Sequence, residues 1–198
     1  MKLIKFVLTM ALASLISACS SLHEYDMFNY QSQDQGYLIL SISASDGTEY
    51  GAYSIDFQSE KGDFGRVNYF QNNIFYKSER EFDDKDSNGV IKVETMKPGR
   101  YEIVNWSVSK ANEDVSWSAR ENFSIPFEIK SNKVTYIGEY QAHKTEATNL
   151  LGMTVQSFAV FTINDESERD INFAKNNNLI PTVSIIKNVP EKNAFYIK

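Results

Sequence analysis

Apolar side chains recur at every second position in this chain, and this spacing constrains the fold more than any other feature. The clearest run is Phe123, Ile125, Phe127 and Ile129, with Ser, Pro and Glu in between. A period of two places alternate side chains on one face of a β-strand, so the run predicts a strand with one buried face. Pro126 has no amide N–H for a ladder hydrogen bond, which predicts that this strand lies at a sheet edge or carries a bulge.

Further alternating runs are separated by segments with turn chemistry. Asp46-Gly47, residues 60–63 and residues 97–100 combine glycine with polar residues or proline, as β-turns do. In the last of these, Gly99 is expected to adopt a positive φ in a type II turn. Eight or more short strands joined in this way predict a mainly β fold, an antiparallel β-sandwich. The predicted strands cover residues 36–43, 53–57, 64–70, 74–77, 91–94, 101–108, 123–129, 134–140, 150–163, 182–187 and 194–198.

One short helix is predicted near residues 165–176, on the surface of the sheets. Asp165 and Glu168 have the spacing of a capping box, and Lys175 lies in the expected last turn. Ile171 and Ala174 would form its inner face. The predicted fold is therefore a sandwich with one short C-terminal surface helix.

The first 18 residues have the pattern of a secretory signal peptide. Lys2 and Lys5 are followed by an apolar run over residues 6–16 and then by small residues. The run is shorter than the roughly 20 residues that a membrane-spanning helix needs. We therefore predict a signal peptide over 1–18, a polar tether over 19–35 and one β-sandwich domain over 36–198.

The sequence Ile16-Ser17-Ala18-Cys19 resembles a bacterial lipobox. The resemblance implies that the Cys19 thiol is diacylated, that the chain is then cut between Ala18 and Cys19, and that the new amino terminus is acylated, for example with palmitate. Ser20, where such proteins can carry aspartate, implies the outer membrane of a Gram-negative cell, facing the periplasm. Cys19 is the only cysteine, so no disulfide is expected.

Three segments carry a second resemblance. Residues 97–102 (KPGRYE), 125–129 (IPFEI) and 134–140 (VTYIGEY) are similar to motifs of small Gram-negative lipoproteins with a transthyretin-like or carboxypeptidase-regulatory-like sandwich. The similarity covers about residues 36–163. Asn132 stands where such proteins often have glycine. The resemblance implies a fold and a location, and it brings no catalytic residues.

Charge excludes one class of partner. Without residues 1–18, which contain Lys2 and Lys5 and no acid, 18 basic and 26 acidic residues remain, a net charge of −8. Nucleic acids and anionic lipid surfaces bind clustered basic residues, so neither is an expected partner. No cofactor motif is present, and none is predicted.

The segment Asp84-Lys85-Asp86-Ser87-Asn88-Gly89 matches the first half of a calcium-binding loop. Asp84, Asp86 and Asn88 would be ligands, together with the Val90 carbonyl. The twelfth position, which needs a bidentate acid, is Thr95. The alternative is a solvated acidic loop that ends in an Asn88-Gly89 hairpin turn.

Two further groups could carry function. Four acids at residues 165, 166, 168 and 170 could supply paired carboxylates, although capping and the helix dipole also explain them. Trp117 lies among serines and could present an exposed ring to a ligand, or could pack in the core. With His23 and His143 as the only histidines, a zinc site or a nucleophile–histidine pair is not expected.

These observations predict a lipid-anchored, non-enzymatic envelope lipoprotein that acts as a binding or accessory module. Its partner would be an envelope protein, which could add a strand beside Pro126, or a glycan. One alternative is an enzyme that uses carboxylates on envelope polysaccharide or peptide. Another is a calcium-stiffened adhesin-like domain.

Overall fold

The structure, a computed structural model, describes residues 27–48, 50–71, 77–110, 116–119, 123–148, 150–190 and 194–196. The signal peptide, Cys19 and residues 74–76 of the strand predicted over 74–77 lie outside these ranges. Twelve strands and one helix are found in the described chain: β1 Gly36–Ser45, β2 Ala52–Ser59, β3 Phe64–Phe70, β4 Phe82–Asp83, β5 Ser87–Met96, β6 Gly99–Ser109, β7 Ser116–Ser118, β8 Ile125–Ile129, β9 Val134–Thr148, β10 Thr154–Asn164, α1 Ser167–Asn176, β11 Ile185–Lys187 and β12 Ala194–Tyr196.

The strands form two sheets packed as a sandwich, which confirms the predicted fold class. Sheet A has the order β12-β10-β9-β1-β5-β4, with β11 also paired to β9. Sheet B has the order β3-β2-β6-β7, with β8 also paired to β6. Most neighbours are antiparallel, but β9 runs parallel to both β1 and β11. This long-range pairing places β9 at the centre of sheet A.

Alternating residues of the two sheets meet in one core, as the period of two predicts. Leu38, Leu40 and Ile42 of β1 are fully buried and face Ile55 and Phe57 of β2 within the same cluster. Rings also meet across the two layers. Trp106 of β6 stacks on Phe161 of β10 with centroids 5.6 Å apart, and its side chain is fully buried. Apolar burial of this kind is the main source of stability in a domain without disulfides.

Helix α1 covers the outer face of sheet A and begins two residues later than predicted. Ala174 is fully buried against this face and Ile171 packs beside it, as expected. The predicted capping box is not formed. Instead, Asp165 accepts a hydrogen bond from the Ser167 amide at 3.2 Å, and no side chain caps the helix at Glu166.

The predicted tether over 19–35 is wrong at Met27, Phe28 and Tyr30, which pack on the domain, whereas residues 31–34 are exposed. Met27 and Phe28 are buried members of the main core, and the Phe28 ring meets the Phe57 ring edge-on at 5.7 Å. The Tyr30 amide donates to the Thr95 carbonyl at 3.0 Å. Apolar residues in this segment lack a period, so their burial could not be read from the pattern. The folded domain therefore begins at or before Met27.

Turn predictions are confirmed at two positions and wrong at a third. Gly47 and Gly62 have φ of 71° and 86°, a region that favours glycine. Gly99 does not adopt a positive φ, because it already begins β6 opposite Ile129. The predicted type II turn at Lys97–Arg100 is therefore not formed. Asn132 has φ 52°, so it does adopt the left-handed conformation that glycine often supplies at such a turn.

Candidate functional site

The predicted calcium ligands do not converge. The chain turns between β4 and β5, where the Asp84 amide bonds the Ser87 carbonyl, so Asp84 and Asp86 lie in an exposed hairpin loop. Asn88 lies within β5, and its side-chain oxygen accepts a 2.6 Å hydrogen bond from the Tyr69 hydroxyl. The alternative turn at Asn88-Gly89 is also wrong, since both residues pair with β1. A Cβ at Gly89 would lie 2.2 Å from a β1 carbonyl oxygen, which explains the glycine.

Asp84 has a different partner from the one predicted. Its carboxylate lies 3.6 Å from a terminal nitrogen of Arg169 on α1. Within the described ranges, no group of three or more His, Cys, Asp or Glu residues is arranged to hold a metal ion. The calcium prediction therefore has no geometric support in this part of the chain.

Trp117 is half-buried in β7 and packs against the main core. Its ring meets that of Tyr50 edge-on at 5.9 Å, and the Lys110 ammonium lies 6.0 Å from its centroid. Part of the ring remains accessible, so the prediction that Trp117 contacts a ligand stays a prediction.

The acids at the start of α1 take separate structural roles. Asp165 is exposed and bonds the Lys187 ammonium at 3.0 Å. Hydrogen bonds from Ser167 and then Lys187 lower the pKa of the Asp165 carboxyl. Asp170, in contrast, is fully buried under the helix. Because Asp170 is buried, it does not share a solvent-exposed cleft with Asp165 as a catalytic pair would.

Asp170 is the centre of a buried hydrogen-bond network between α1 and sheet A. It accepts from the Ser41 hydroxyl at 2.6 Å, from the Tyr136 hydroxyl at 3.2 Å and from Arg169 Nε at 2.8 Å. The Tyr136 hydroxyl in turn accepts from the Glu166 amide at 3.0 Å. The network joins β1, β9 and the first turn of the helix.

Arg169 extends this network toward the hairpin loop. Its guanidinium lies 3.4 Å from Glu139, which is 3% exposed, and its carbon lies 3.6 Å from the centroid of the Phe82 ring. One cation thus meets Asp170, Glu139 and Asp84 while stacked on an aromatic face, an arrangement that suits arginine. The cluster pins α1 to the sheet.

Burial and charged neighbours shift the pKa values of three groups in and beside the network. Burial alone would lower the pKa of the Arg169 guanidinium, but Asp170 and Glu139 raise it overall. Burial, and then the charge of Asp170, raise the pKa of the Tyr136 hydroxyl well above its usual value, so this group remains a donor. Burial and the neighbouring Glu139 raise the pKa of the Glu166 carboxyl. The Asp170 and Glu139 carboxylates are buried away from solvent, and through Arg169 they connect α1 to sheet A.

A groove of about 330 Å³ lies beside α1. Its walls carry Glu168 together with Lys175 and Lys187, so both charge signs are present and no single ligand class is indicated. The lining residues are Ser167, Glu168, Ile171, Asn172, Lys175, Ile185 and Lys187.

The edge strand predicted at Pro126 is confirmed, because β8 pairs only with β6 among the described strands. Two backbone carbonyls of β8 already accept hydrogen bonds from side chains. The Thr135 hydroxyl donates to Glu128 O at 2.9 Å, and the Asn188 side-chain amide donates to Pro126 O at 3.4 Å. Since Pro126 has no N–H, this edge offers little to an added strand.

A β-hairpin extends sheet A beyond its pairing with β1. Strand β9 pairs with β1 as far as Ala142, and β10 pairs with β12 from Val160 onward. Within the described chain, these pairings leave residues 143–148 and 150–159 as a two-stranded ribbon, here called the arm. At the foot of the arm, the Lys144 backbone N–H donates a hydrogen bond to the Thr48 hydroxyl.

The end of the arm, residues 150–153, is here called the tip, and it is apolar. Leu150 is 106% exposed, Leu151 81% and Met153 53%. Gly152 makes the turn with φ 78°. Among the residues whose side-chain exposure the structure describes, which leave out 155–158 and 194–196, Phe64 and Leu179 are the other exposed large apolar side chains, and they lie elsewhere. Exposed apolar side chains grouped in this way mark contact sites more often than single ones do.

Sequence reasoning missed the arm because residues 141–148 carry no apolar alternation. One signal was present: residues 147–164 contain no charged residue, and Leu-Leu-Gly-Met lies inside this stretch. Sequence reasoning also missed Arg169 and Glu139, because these residues become neighbours only after folding.

Similarity to known proteins adds no assignment. No protein-family model matches the chain, and no curated protein does. A leucine-rich repeat protein from Bacteroides thetaiotaomicron is 11% identical over 55% of this chain and 14% of its own length, with a TM-score of 0.31. A Parabacteroides distasonis protein named for cell adhesion is 9% identical over 62% of this chain and 38% of its own length, with a TM-score of 0.33. The chain spans less than half of either protein, and similarities this low carry no argument.

No helix in the described ranges is long and apolar enough to cross a membrane.

Proposed function

We propose that this protein is a lipid-anchored, non-enzymatic module of the bacterial envelope that makes its binding contacts with the end opposite its anchor. The anchor is Cys19, and the membrane is the outer membrane. The observation that carries the proposal is the position of the tip relative to the point where the chain enters the domain.

The chain enters at one end of the sandwich. Tyr30 bonds Thr95, which pairs with Tyr37, and Tyr37 pairs with Val134 at the start of β9. The tip follows the other end of β9. The level of Val134, where the chain enters the sandwich, is here called the entry level. Because β9 has 15 residues and a strand rises about 3.3 Å per residue, the tip lies about 45 Å from the entry level.

A short tether would hold the entry end close to the anchoring surface. Only eight peptide steps separate Cys19 from Met27, so they span at most about 29 Å. Acyl chains at Cys19 would attach the domain without any protein span. The domain would therefore present the tip, and Trp117 near the ends of β6 and β7, away from that surface.

The direct test is a mass spectrum of the amino-terminal peptide of the mature protein, with fractionation of cells that produce wild type or Cys19→Ser. We expect the wild-type peptide to begin at an acylated Cys19 and the protein to sediment with outer membranes. The Cys19→Ser protein should lack the acyl mass. A wild-type protein that is unmodified and soluble would refute the anchor, whatever the tip does.

A further inference from the structure

The tip combines exposure with an absence of charge over an unusual length of chain. Leu150, Leu151 and Met153 account for most of its side-chain surface, and no charged residue occurs between Glu146 and Asp165. The charges nearest the tip on β9 are Lys144 and Glu146, and these lie 3.6 Å apart as an ion pair. The tip can therefore enter an apolar medium without removing an isolated charge from water.

The area of the tip is small for a protein interface. Three side chains at the end of a narrow ribbon offer roughly a few hundred Å², whereas a stable protein complex buries about 800 Å² per partner. The arm also carries the tip past the end of the β9–β1 pairing, because β9 continues for six residues past Ala142, or about 20 Å. A protein partner needs a complementary surface of the size given above, but a lipid layer does not.

The length of the tether limits how the tip can reach the leaflet that holds the anchor. The tip lies about 45 Å beyond the entry level, and Cys19 lies at most about 29 Å before Met27. A domain standing upright on its tip would need a longer tether, so the tip reaches the anchoring leaflet only when the domain is tilted over. An upright domain instead directs the tip toward a surface that faces its own.

We propose that the tip inserts Leu150, Leu151 and Met153 into a second lipid surface that faces the one holding the Cys19 anchor. This inference rests on the lipid anchor proposed above. The tip lies on an acidic protein and carries no basic residue, so the expected surface is zwitterionic and the contact is insensitive to salt. A single acyl chain gives only marginal membrane binding, and a tip of three side chains is comparable. Many anchored copies must therefore act together.

The experiment measures bridging between two vesicle populations. Acylated full-length mature protein is reconstituted into phosphatidylcholine vesicles with one dye, and protein-free phosphatidylcholine vesicles carry a second dye. Fluorescence cross-correlation reports joint diffusion. The variants are wild type, Leu150→Ser/Leu151→Ser, and the matched control Leu179→Ser, which alters an exposed leucine outside the arm.

We expect wild type and Leu179→Ser to bridge the vesicles equally, at low and at high salt, and the double variant to lose at least tenfold. Unchanged thermal melting of the double variant would show that the loss is not due to unfolding. Absence of wild-type bridging, or equal bridging by the double variant, overturns the proposal. So does bridging that requires protein on both vesicles, which indicates a second copy, or bridging that requires added envelope protein or glycan.

The mass spectrum of each sample separates the two proposals. An acylated protein that fails to bridge refutes the tip contact and leaves the anchor standing. A protein that carries no acyl group refutes the anchor, and with it the bridging geometry.

Discussion

The two halves of strand β9 have the same backbone structure and opposite surroundings. From Val134 to Ala142 the strand lies between β1 and the strands β10 and β11, and nearly every side chain is buried. From His143 to Thr148 it pairs only with β10 among the described strands, and most side chains are exposed. The comparison teaches that neighbours, and not the strand itself, determine which residues stabilise the fold.

The first half of β9 stabilises the fold through specific side-chain contacts. Tyr136 and Glu139 join the buried network under α1, and Tyr140 is fully buried in the main core. The second half pairs along its backbone with β10, and the Lys144 N–H donates to the Thr48 hydroxyl at its foot. The tip that follows it carries exposed apolar side chains, as contact sites do.

The largest expected effect comes from breaking the network that holds the first half. Asp170→Ala removes the acceptor for the Ser41 and Tyr136 hydroxyls and the only fully buried carboxylate among the three that contact Arg169. We expect a loss of about 3–5 kcal/mol in the free energy of unfolding, measured by urea titration.

The matched control is Asp165→Ala, which removes an exposed acid from the same helix start. Its ion pair with Lys187 is worth less than about 1 kcal/mol. Equal losses for the two variants would show that the network does not hold the helix to the sheet.

A second prediction concerns Gly138, at the irregularity where β9 shifts register against β1. Its φ is 108°, and a Cβ there would lie 2.9 Å from Ile163 Cγ2. Gly138→Ala should cost about 1–3 kcal/mol from backbone strain, with the side-chain contact in addition. Gly62→Ala is the control, because Gly62 also has a positive φ but a Cβ there meets nothing within 4 Å. A Gly138→Ala loss no larger than that of Gly62→Ala would contradict the contact.

The period of two was sufficient to predict most strands and the sandwich, because each strand buries one face against the other sheet. Trp106 is an example, since it aligns with apolar Val108 and is fully buried. The parallel pairing of β1 with β9 was not predictable in this way. It joins segments about a hundred residues apart, and alternation within a strand does not specify its neighbour.

Sites were less predictable than strands for a physical reason. The calcium pattern depends on spacing along the chain, but Asp84 lies in a turn while Asn88 lies in a strand and bonds Tyr69, so equal spacing does not bring their oxygens together. Asp170 could be read only as an acid near a helix start. Its partners Ser41 and Tyr136 are distant in sequence, and only the folded sheet brings them to it.

A smaller effect is expected from pH at the exposed start of α1. The pKa of Asp165 is lowered in the folded state, first by Ser167 and then by Lys187. Its contribution is therefore present above the unfolded pKa and is lost as pH falls through the lower folded value. Asp165→Asn should reduce the melting temperature slightly at neutral pH and have no effect once the wild-type carboxyl is protonated. A difference that persists at the acid end of the titration would contradict this assignment.

The smallest effect on stability is expected at the tip, and this prediction tests the comparison most directly. Leu150→Ser/Leu151→Ser should change the free energy of unfolding by less than about 0.5 kcal/mol per site, because both side chains are already in water. Ala142→Ser, at the last residue that β9 pairs with β1, places a hydroxyl in the core and should destabilise the protein more. Urea titration of both variants compares the exposed tip with the buried half of β9. If the tip variant were the less stable of the two, its leucines would be part of the fold, and the argument that they serve an external contact would fail.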